Sequence, residues 1–257
     1  MRDTSARRWG HASAIVGGMA IMVGGFGGPA HQRLGDLWQM ALSTAAPPGM
    51  VPVQEWRWAP LAAAGPAPCA RIHHSAITLA GSVWVFGGRS SPTLAFNDLH
   101  ALDVAAAEWR RVVPTDGGLR ASNGTGEGDG DVKGESGDDG VPSPRWRHAA
   151  CALDAQLGAS SAMAVFGGRD AVGLVDVGMH IFEPASGSWS RLNVRGDCLT
   201  PRHSHTMTNW GNQLLVVSNS SALLIQLQPG VPPEFVCHAG IHCPIALPPT
   251  LHASLLL

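Results

Sequence analysis

Residues 71–88 read RIHHSAITLAGSVWVFGG, and this stretch decides the fold because its pattern occurs four times in the 257-residue chain. Each copy opens with an arginine and, three residues later, with a histidine. These pairs are Arg8 and His11, Arg71 and His74, Arg145 and His148, and Arg202 and His205. Self-similarity at a period of tens of residues is typical of a solenoid or a propeller.

Paired glycines and a later tryptophan complete each unit. The glycine pairs are Gly24 and Gly25, Gly87 and Gly88, and Gly167 and Gly168, and Ser218-Asn219 takes their place in copy four. An aspartate follows each pair, at Asp36, Asp98 and Asp176, and a tryptophan comes later, at Trp58, Trp109 and Trp189. We interpret all of these as structural positions. Arginine and histidine can satisfy buried carbonyls, glycine permits close backbone approach, and tryptophan packs between units.

The spacing within a unit predicts four short antiparallel strands. Residues 12–16 and 20–23 flank a Gly17-Gly18 turn, and residues 75–79 and 83–86 flank an Ala80-Gly81 turn. A third strand over residues 98–102 and a fourth around Trp109 would complete the unit. Four antiparallel strands in a unit of this length describe a propeller blade. The predicted fold class is therefore all-β, an incomplete β-propeller.

We expect about three and a half four-stranded blades over residues 7–222, followed by an irregular, proline-rich tail over residues 223–257. Closed propellers have about 4–8 blades, so such a sheet array would leave open edges. The isolated chain is therefore expected to be marginally stable or associated with another chain. Residues 115–143 carry seven acids, two bases and nine glycines, which predicts a disordered acidic loop between two blades.

The unit resembles the kelch repeat, and four strings narrow the resemblance. GGFGG at 24–28, NDLHALDVAAAEW at 97–109, RWRHAA at 145–150 and PRHSHTM at 201–207 resemble the kelch region of tRNA wybutosine-synthesizing proteins. That resemblance implies a propeller that organises S-adenosylmethionine-dependent transferase domains, which modify phenylalanine tRNA. No residues match the motifs of those domains, so the resemblance implies no catalytic residue, no cofactor and no metal in this chain. The implied partner is a protein or a flanking transferase domain, and direct contact with tRNA stays open.

A stand-alone kelch scaffold that binds a protein partner through its blade loops is the alternative function. A kelch-type copper radical oxidase is excluded, because such an enzyme needs a tyrosine at the metal and the chain has none. The net charge of −2 gives no electrostatic argument for nucleic acid. Five cysteines, an odd number without a framework spacing, fit a reducing compartment, so a cytoplasmic location is expected.

Three other features have simpler structural interpretations. The apolar residues 12–30 could be mistaken for a signal peptide or a membrane span, but their pattern returns at residues 75–88, so we interpret them as a blade hairpin and expect no membrane partner. A histidine acid–base pair and a zinc site near the end of the chain are weaker interpretations than structural ones. Those residues are His203 and His205 for the first, and Cys237, His238, His242 and Cys243 for the second.

Overall fold

The chain folds into four sheets, antiparallel apart from one short parallel pair in the fourth, which are arranged as the blades of a β-propeller. The computed structural model describes residues 7–42, 56–114, 140–153, 161–175, 178–192, 194–195, 200–210, 213–218, 222–228 and 234–241. Within these ranges the regular secondary structure consists of strands, without a helix. The predicted all-β propeller is therefore confirmed.

Blades 1 and 2 contain the first nine strands. Blade 1 is built from β1 (Arg8–Trp9), β2 (Ala12–Val16), β3 (Met19–Gly27), β4 (Gln32–Ala41) and β5 (Ala59–Pro60). Blade 2 is built from β6 (Ser75–Leu79), β7 (Ser82–Phe86), β8 (Leu99–Asp103) and β9 (Glu108–Val112). In each blade the strands follow chain order from the inner to the outer edge, except that β1 pairs with the last part of β3.

Blades 3 and 4 contain the other nine strands. Blade 3 is built from β10 (Ala149–Leu153), β11 (Ala162–Phe166), β12 (Met179–Glu183) and β13 (Ser188–Leu192). Blade 4 is built from β14 (Val194–Arg195), β15 (Thr206–Trp210), β16 (Gln213–Val217), β17 (Ala222–Gln228) and β18 (Glu234–Ile241). The short β14 pairs in parallel with β18 and forms the outer edge of blade 4.

The two-residue turns between first and second strands are confirmed. Gly17 and Gly18 have φ angles of 55° and 76°, and Ala80 and Gly81 have φ angles of 50° and 77°. Two successive positive φ angles define the turn whose twist matches the right-handed twist of paired strands. Glycine adopts this geometry readily, which explains why it occupies three of these four positions.

The fourth blade corrects the expected blade count and the expected tail. Strands β17 and β18 continue the sheet after the first hairpin, so residues 223–228 and 234–241 of the expected tail are regular strands. Leu223 and Ile225 in β17 are buried against blade 3. Alternating apolar residues therefore stabilise a third strand there even though copy four lacks the glycine pair. Residues 242–257 lie outside the described residues.

The predicted acidic loop falls almost entirely outside the described residues, which resume at residue 140. Its last four residues, 140–143, form part of the blade structure. Gly140 is buried, and its carbonyl oxygen lies 2.8 Å from Nδ1 of His180 in β12. A disordered loop that extends to residue 143 is therefore too long by these four residues.

Neighbouring blades pack face to face through three apolar clusters. Side chains of β7 alternate between the two sides: Val83 and Val85 lie in the cluster with blade 1, and Trp84 and Phe86 lie in the cluster with blade 3. A strand buried on both faces needs an uninterrupted apolar sequence, which VWVF at residues 83–86 provides. The cluster between blades 3 and 4 contains Phe166.

The first strands of the blades lie around the common axis. Strand β2 packs on β6, β6 packs on β10, and β10 packs on β15. Within the described ranges, β15 and β2 show no comparable packing, so the propeller is open between blades 4 and 1. In the same ranges, no helix is long and apolar enough to cross a membrane.

Candidate interaction face

Arg71 fixes the start of blade 2 through a buried ion pair. Its Nη1 donates to the carbonyl of Gly87 at 2.9 Å and to Asp98 Oδ1 at 2.6 Å, and its Nη2 donates to Asp98 Oδ2 at 2.8 Å. His100 Nε2 lies 3.0 Å from the same carboxylate. Burial raises the pKa of Asp98, but the hydrogen bonds from Arg71 and His100 outweigh burial and hold that pKa well below its usual range.

Blade 1 repeats this arrangement with one substitution. Arg8 donates to both carboxylate oxygens of Asp36, at 2.7 and 2.9 Å, and to the carbonyl of Gly24 at 3.0 Å. Trp38 takes the position of His100 and donates to Asp36 through Nε1 at 2.7 Å. Each arginine thus joins the start of its repeat to two other strands of the same blade. These strands are β3 and β4 in blade 1, and β7 and β8 in blade 2.

Blade 3 keeps the arginine and its hydrogen bond to the glycine pair. Arg145 donates to the carbonyl of Gly167 at 3.2 Å and to Ser143 Oγ at 3.0 Å. Gly178 directly precedes β12 as Asp98 directly precedes β8. A glycine of blade 3 therefore stands at the position that Asp98 has in blade 2. Asp176, the aspartate that follows the glycine pair of this unit in the sequence, lies outside the described residues.

The glycine pairs lie where two blades meet. Gly87 and Gly88 have φ angles of 64° and 92°, and a Cβ at Gly88 would lie 2.8 Å from the Cβ of His74. A Cβ at Gly87 would lie 2.9 Å from Cε1 of His148 in the next blade. The N–H of Gly88 donates to the carbonyl of Arg145 at 2.9 Å. Only glycine has both the left-handed backbone and the space for this contact. The same bond joins Gly25 to Arg71 at 3.0 Å and Gly168 to Arg202 at 2.8 Å.

The histidines that end each opening motif are buried in blades 2 to 4. His74 Nε2 donates to the carbonyl of Val23 in blade 1 at 3.1 Å, and His148 Nε2 lies 2.9 Å from Ser75 Oγ in blade 2. Burial, followed by the charge of the neighbouring arginine, lowers the pKa of His74 to about 3, that of His148 to about 3 and that of His205 to about 4. These three imidazoles are therefore uncharged at neutral pH. His11 is exposed, because within the described residues no blade packs on its side of blade 1.

Two of the three repeated tryptophans pack between blades. Trp109 of blade 2 lies in the cluster shared with blade 1, and Trp189 of blade 3 lies in the cluster shared with blade 2. Each tryptophan thus packs on the preceding blade. Trp58 precedes β5 and is only half-buried, because within the described residues no blade covers that side of blade 1. It lines a recess of about 540 Å³ together with residues of β2 and β3 and, from blade 2, of β6.

Four residues with a left-handed backbone surround the axis at one end of the propeller. Gly10, His73, Arg147 and Ser204 have φ angles of 66°, 57°, 55° and 57° and stand one residue before the repeated histidine. Backbone hydrogen bonds of 2.8 to 3.0 Å link each of them to the next. Left-handed backbone is strained for the three residues other than glycine, and such strain clusters at functional sites. A recess of about 420 Å³ lies beside them, and His73, Arg147 and Ser204 line it.

Arginine and aromatic side chains converge at this end of the axis. We call the following residues the arginine face: Trp9, Arg33, His73, Arg89, Trp146, Arg147, Arg169 and His203. The guanidinium carbon of Arg89 lies 3.8 Å from the ring centroid of Trp146, and those of Arg169 and Arg147 lie 4.9 and 5.2 Å from it. Blades 2 and 3 thus place three cations around one indole.

The arginine face lacks compensating negative charge. Within the part of the chain that the structure describes, Arg33, Arg89, Arg147 and Arg169 form no ion pair. Burial, then the charges of Arg147, Arg33 and Arg169, lower the pKa of Arg89. Nε atoms of Arg33, Arg89 and Arg169 are buried without a hydrogen-bond partner in the same region. An anion that entered this face would relieve repulsion and gain donors from several guanidinium groups.

Sequence reasoning missed the arginine face. The only local signal is that Arg89 and Arg169 directly follow the glycine pairs of copies two and three. Arg89 and Trp146 are 57 residues apart, and their contact depends on the packing of blade 2 on blade 3. No motif in one blade reveals a contact that two blades make together.

The weaker candidates from the sequence do not converge on a reactive centre. Burial lowers the pKa of His203, with a further contribution from Arg147 and Arg169, and its Nδ1 lies 2.9 Å from Ser204 Oγ. Cys69 is exposed and Cys151 is buried, and neither forms a disulfide. Among the described residues, no three side chains of the metal-binding types are grouped to hold a metal ion. Cys198, His242 and Cys243 lie outside the described residues, and the side chains of Cys237 and His238 are not described.

Comparison with known proteins identifies the repeated unit. Residues 2–126 match a family model described as the KLHDC2/KLHL20/DRC7 Kelch-repeats domain. The repeats of this part of the chain are of the kelch type. The matched segment covers blades 1 and 2. Blades 3 and 4 repeat their strand order, and blade 3 also repeats the contacts of the arginine, the histidine and the glycine pair. The kelch part of the sequence-based resemblance is therefore confirmed.

Several curated proteins are similar to this chain. Rab9 effector protein with kelch motifs from Bos taurus is 28% identical over 208 residues, which cover 66% of this chain and 54% of that protein. Rho GTPase-activating protein gacHH from Dictyostelium discoideum is 26% identical over 163 residues, 61% of this chain and 9% of that protein. Acyl-CoA-binding domain-containing protein 4 from Arabidopsis thaliana is 27% identical over 160 residues, 62% of this chain and 20% of that protein. The chain therefore spans little more than half of the first of these relatives, and much less of the others.

Proposed function

We propose that this kelch propeller is a non-catalytic scaffold that binds a protein partner, and that the arginine face is where it binds. The single observation that carries the proposal is the convergence of Arg89, Arg147 and Arg169 around Trp146 without an ion pair among the described residues. The partner segment that fits this chemistry is acidic and extended. Its carboxylates would accept from the guanidinium groups, and its apolar groups would contact the exposed indole of Trp9.

A protein partner fits better than nucleic acid. The chain has a net charge of −2, and the arginine face is a small concentration of charge rather than a basic stripe. Two relatives carry names that refer to protein partners: one is called a Rab9 effector and another a Rho GTPase-activating protein. Those names support a role in protein binding, and they do not identify the partner of this chain.

Fluorescence anisotropy with a labelled oligoglutamate peptide tests the proposal. The full chain should bind this peptide, and binding should weaken as salt is added, because the contact is electrostatic. Arg89→Gln should lower the affinity about tenfold or more, since a hydrogen bond to a charged group contributes about 1.5 kcal/mol. Arg147→Asn should act similarly and suits the left-handed backbone, which asparagine tolerates.

Arg111→Gln is the matched control. Arg111 is exposed on the outermost strand of blade 2, so this change removes a charge at a distance from the axis. Its affinity for oligoglutamate should equal that of the unmodified chain. Equal losses in Arg89→Gln and Arg111→Gln would show that only net charge matters, and a chain that ignores oligoglutamate would contradict the proposal.

The finer function implied by the sequence strings is a second candidate. The strings at 24–28, 97–109, 145–150 and 201–207 favour a kelch segment that organises a wybutosine-type transferase. None of the three relatives described above is a wybutosine-synthesizing protein. A cytoplasmic location also stays a prediction. A purified complex with an S-adenosylmethionine-dependent transferase, or binding of phenylalanine tRNA that Arg111→Gln leaves unchanged, would favour this candidate over the acidic peptide.

A further inference from the structure

An equivalent backbone hydrogen bond occurs at each of the three junctions between neighbouring blades. The N–H of His73 in blade 2 donates to the carbonyl of Gly10 in blade 1 at 2.8 Å. The same bond joins Arg147 to His73 at 3.0 Å and Ser204 to Arg147 at 2.9 Å. The donor always belongs to the later blade and the acceptor to the preceding one, so the series of bonds has a direction.

This direction leaves complementary groups at the two ends of the series. The carbonyl of Ser204 on blade 4 is the next acceptor, and the N–H of Gly10 on blade 1 is the preceding donor. Neither group has a backbone partner in the part of the chain that the structure describes. A blade packed on the free side of blade 4 would donate an N–H to the carbonyl of Ser204. In blade 1 the N–H of Gly10 stands at the position of that donor.

The free side of blade 4 is apolar. Met207, Leu214 and Val216 alternate with their neighbours and are buried against blade 3. Trp210 and Val217 point to the opposite side, where they are 70% and 37% exposed. A tryptophan and a valine exposed together at the inner edge of a sheet form the kind of patch that usually binds another protein surface.

The free side of blade 1 is apolar as well and is hollow. Ile15 in β2 is 63% exposed and lines the recess of about 540 Å³, together with Met22 and Trp58. This is the side through which blades 2 and 3 pack on their preceding blades. Blade 1 has the same side but no preceding blade in the described structure.

The position of Trp210 within its blade indicates what it would contact. Leu79 follows His74 in blade 2 by the same number of residues as Trp210 follows His205 in blade 4. Leu79 lies in one cluster with Ala150 of blade 3, which is the next blade. The residue of blade 1 that corresponds to Ala150 of blade 3 is Ser13. Ser13 and Ile15 both line the recess. The recess is therefore placed to receive Trp210 of a preceding blade.

We propose that blade 4 of one copy of this chain docks on blade 1 of a second copy, and that two copies form a ring of eight blades. Each junction would repeat the internal ones, with Trp210 in the recess beside Ile15 and with Gly10 N–H donating to the carbonyl of Ser204. The contact is head-to-tail, and such contacts give a closed ring when the rotation permits closure. Eight blades lie within the range of about 4–8 that propellers adopt.

Size-exclusion chromatography with light scattering tests the proposal on the full chain. The unmodified chain should have twice the mass of one copy. Trp210→Glu and Ile15→Glu should each give monomers, because each places a carboxylate in an apolar junction. Val172→Glu is the matched control: Val172 is 96% exposed on a loop of blade 3, outside both free sides, and this variant should stay dimeric.

A mixing experiment distinguishes this contact from a symmetric one. Trp210→Glu keeps an intact blade 1 side and Ile15→Glu keeps an intact blade 4 side, so an equimolar mixture should recover dimers held by one junction. Circular dichroism checks that each variant keeps its strands, and Val217→Glu is a second disruption of the blade 4 side. A monomeric unmodified chain, dimers that survive both changes, or filaments in place of a closed dimer would overturn the proposed ring.

Discussion

Acidification should destabilise this propeller by a calculable amount, because its blade junctions bury neutral histidines. An unfolded chain protonates histidine near pH 6.5, whereas folded His74 and His148 have pKa values of about 3. The folded-state pKa is thus depressed, so the unfolded state takes up protons first. The stability from these two groups is fully present above about pH 6.5 and is lost as the pH falls from 6.5 toward 3.

The size of the loss follows from the two pKa values. Between pH 7 and pH 5, each histidine should remove about 2 kcal/mol from the free energy of unfolding, since one pKa unit corresponds to about 1.4 kcal/mol. The pair should therefore remove about 4 kcal/mol, which is a large part of the 5–15 kcal/mol that typically stabilises a domain. Urea unfolding followed by tryptophan fluorescence at several pH values measures this loss.

One substitution isolates the contribution of a single junction. His148→Gln keeps a group that can hydrogen-bond Ser75 Oγ and removes the titration. Whatever its stability at pH 7, this variant should lose about 2 kcal/mol less than the unmodified chain on going to pH 5. His31→Gln removes an exposed histidine from a turn and controls for the loss of a histidine as such. The same pH dependence in His148→Gln and in the unmodified chain would refute the reasoning.

Three further stability predictions concern the structural positions. Asp98→Asn should cost about 3 kcal/mol, because it leaves the buried guanidinium of Arg71 without its counter-charge, and urea unfolding should show a larger loss than for Asp36→Asn, whose carboxylate is 39% exposed. Trp109→Ala should cost about 3–5 kcal/mol by leaving a cavity between blades 1 and 2, measured in the same way. Gly88→Ala should lower the melting temperature much more than Gly17→Ala, since a Cβ at Gly17 meets no atom within 4 Å; equal shifts would contradict this account.

The sequence was sufficient to predict the blade architecture because the repeated residues act locally. Arg71 reaches the glycine pair 16 residues later and the aspartate 27 residues later, all within one blade. Spacing within a unit is therefore set by one sheet, so the recurrence of that spacing predicts a recurring sheet. The hairpin turns follow for the same reason, since Gly17-Gly18 and Ala80-Gly81 determine them without help from distant residues.

The second half of blade 4 was not predicted because its signal differs from that of the other copies. Ser218 and Asn219 replace the glycine pair, and the prolines at 229, 232 and 233 indicate a break in regular structure. Those prolines lie between β17 and β18 in the sequence and outside both strands. Leu223 and Ile225 then supply the buried face that a third strand needs.

Arginines with a structural role can be separated from the arginines of the candidate interaction face by their acceptors. Arg71 and Arg8 open a repeat, and a carboxylate two strands away neutralises each of them at 2.9 Å or less. Arg89 and Arg169 follow a glycine pair, and within the described residues no carboxylate pairs with them. A buried neutralised arginine stabilises the blade, whereas guanidinium groups that repel one another gain most from an external anion. Arginine thus stabilises the blade at one position of the repeat and stays available to a partner at another. The contact between Arg89 and Trp146 joins two blades and so brings the available arginines together.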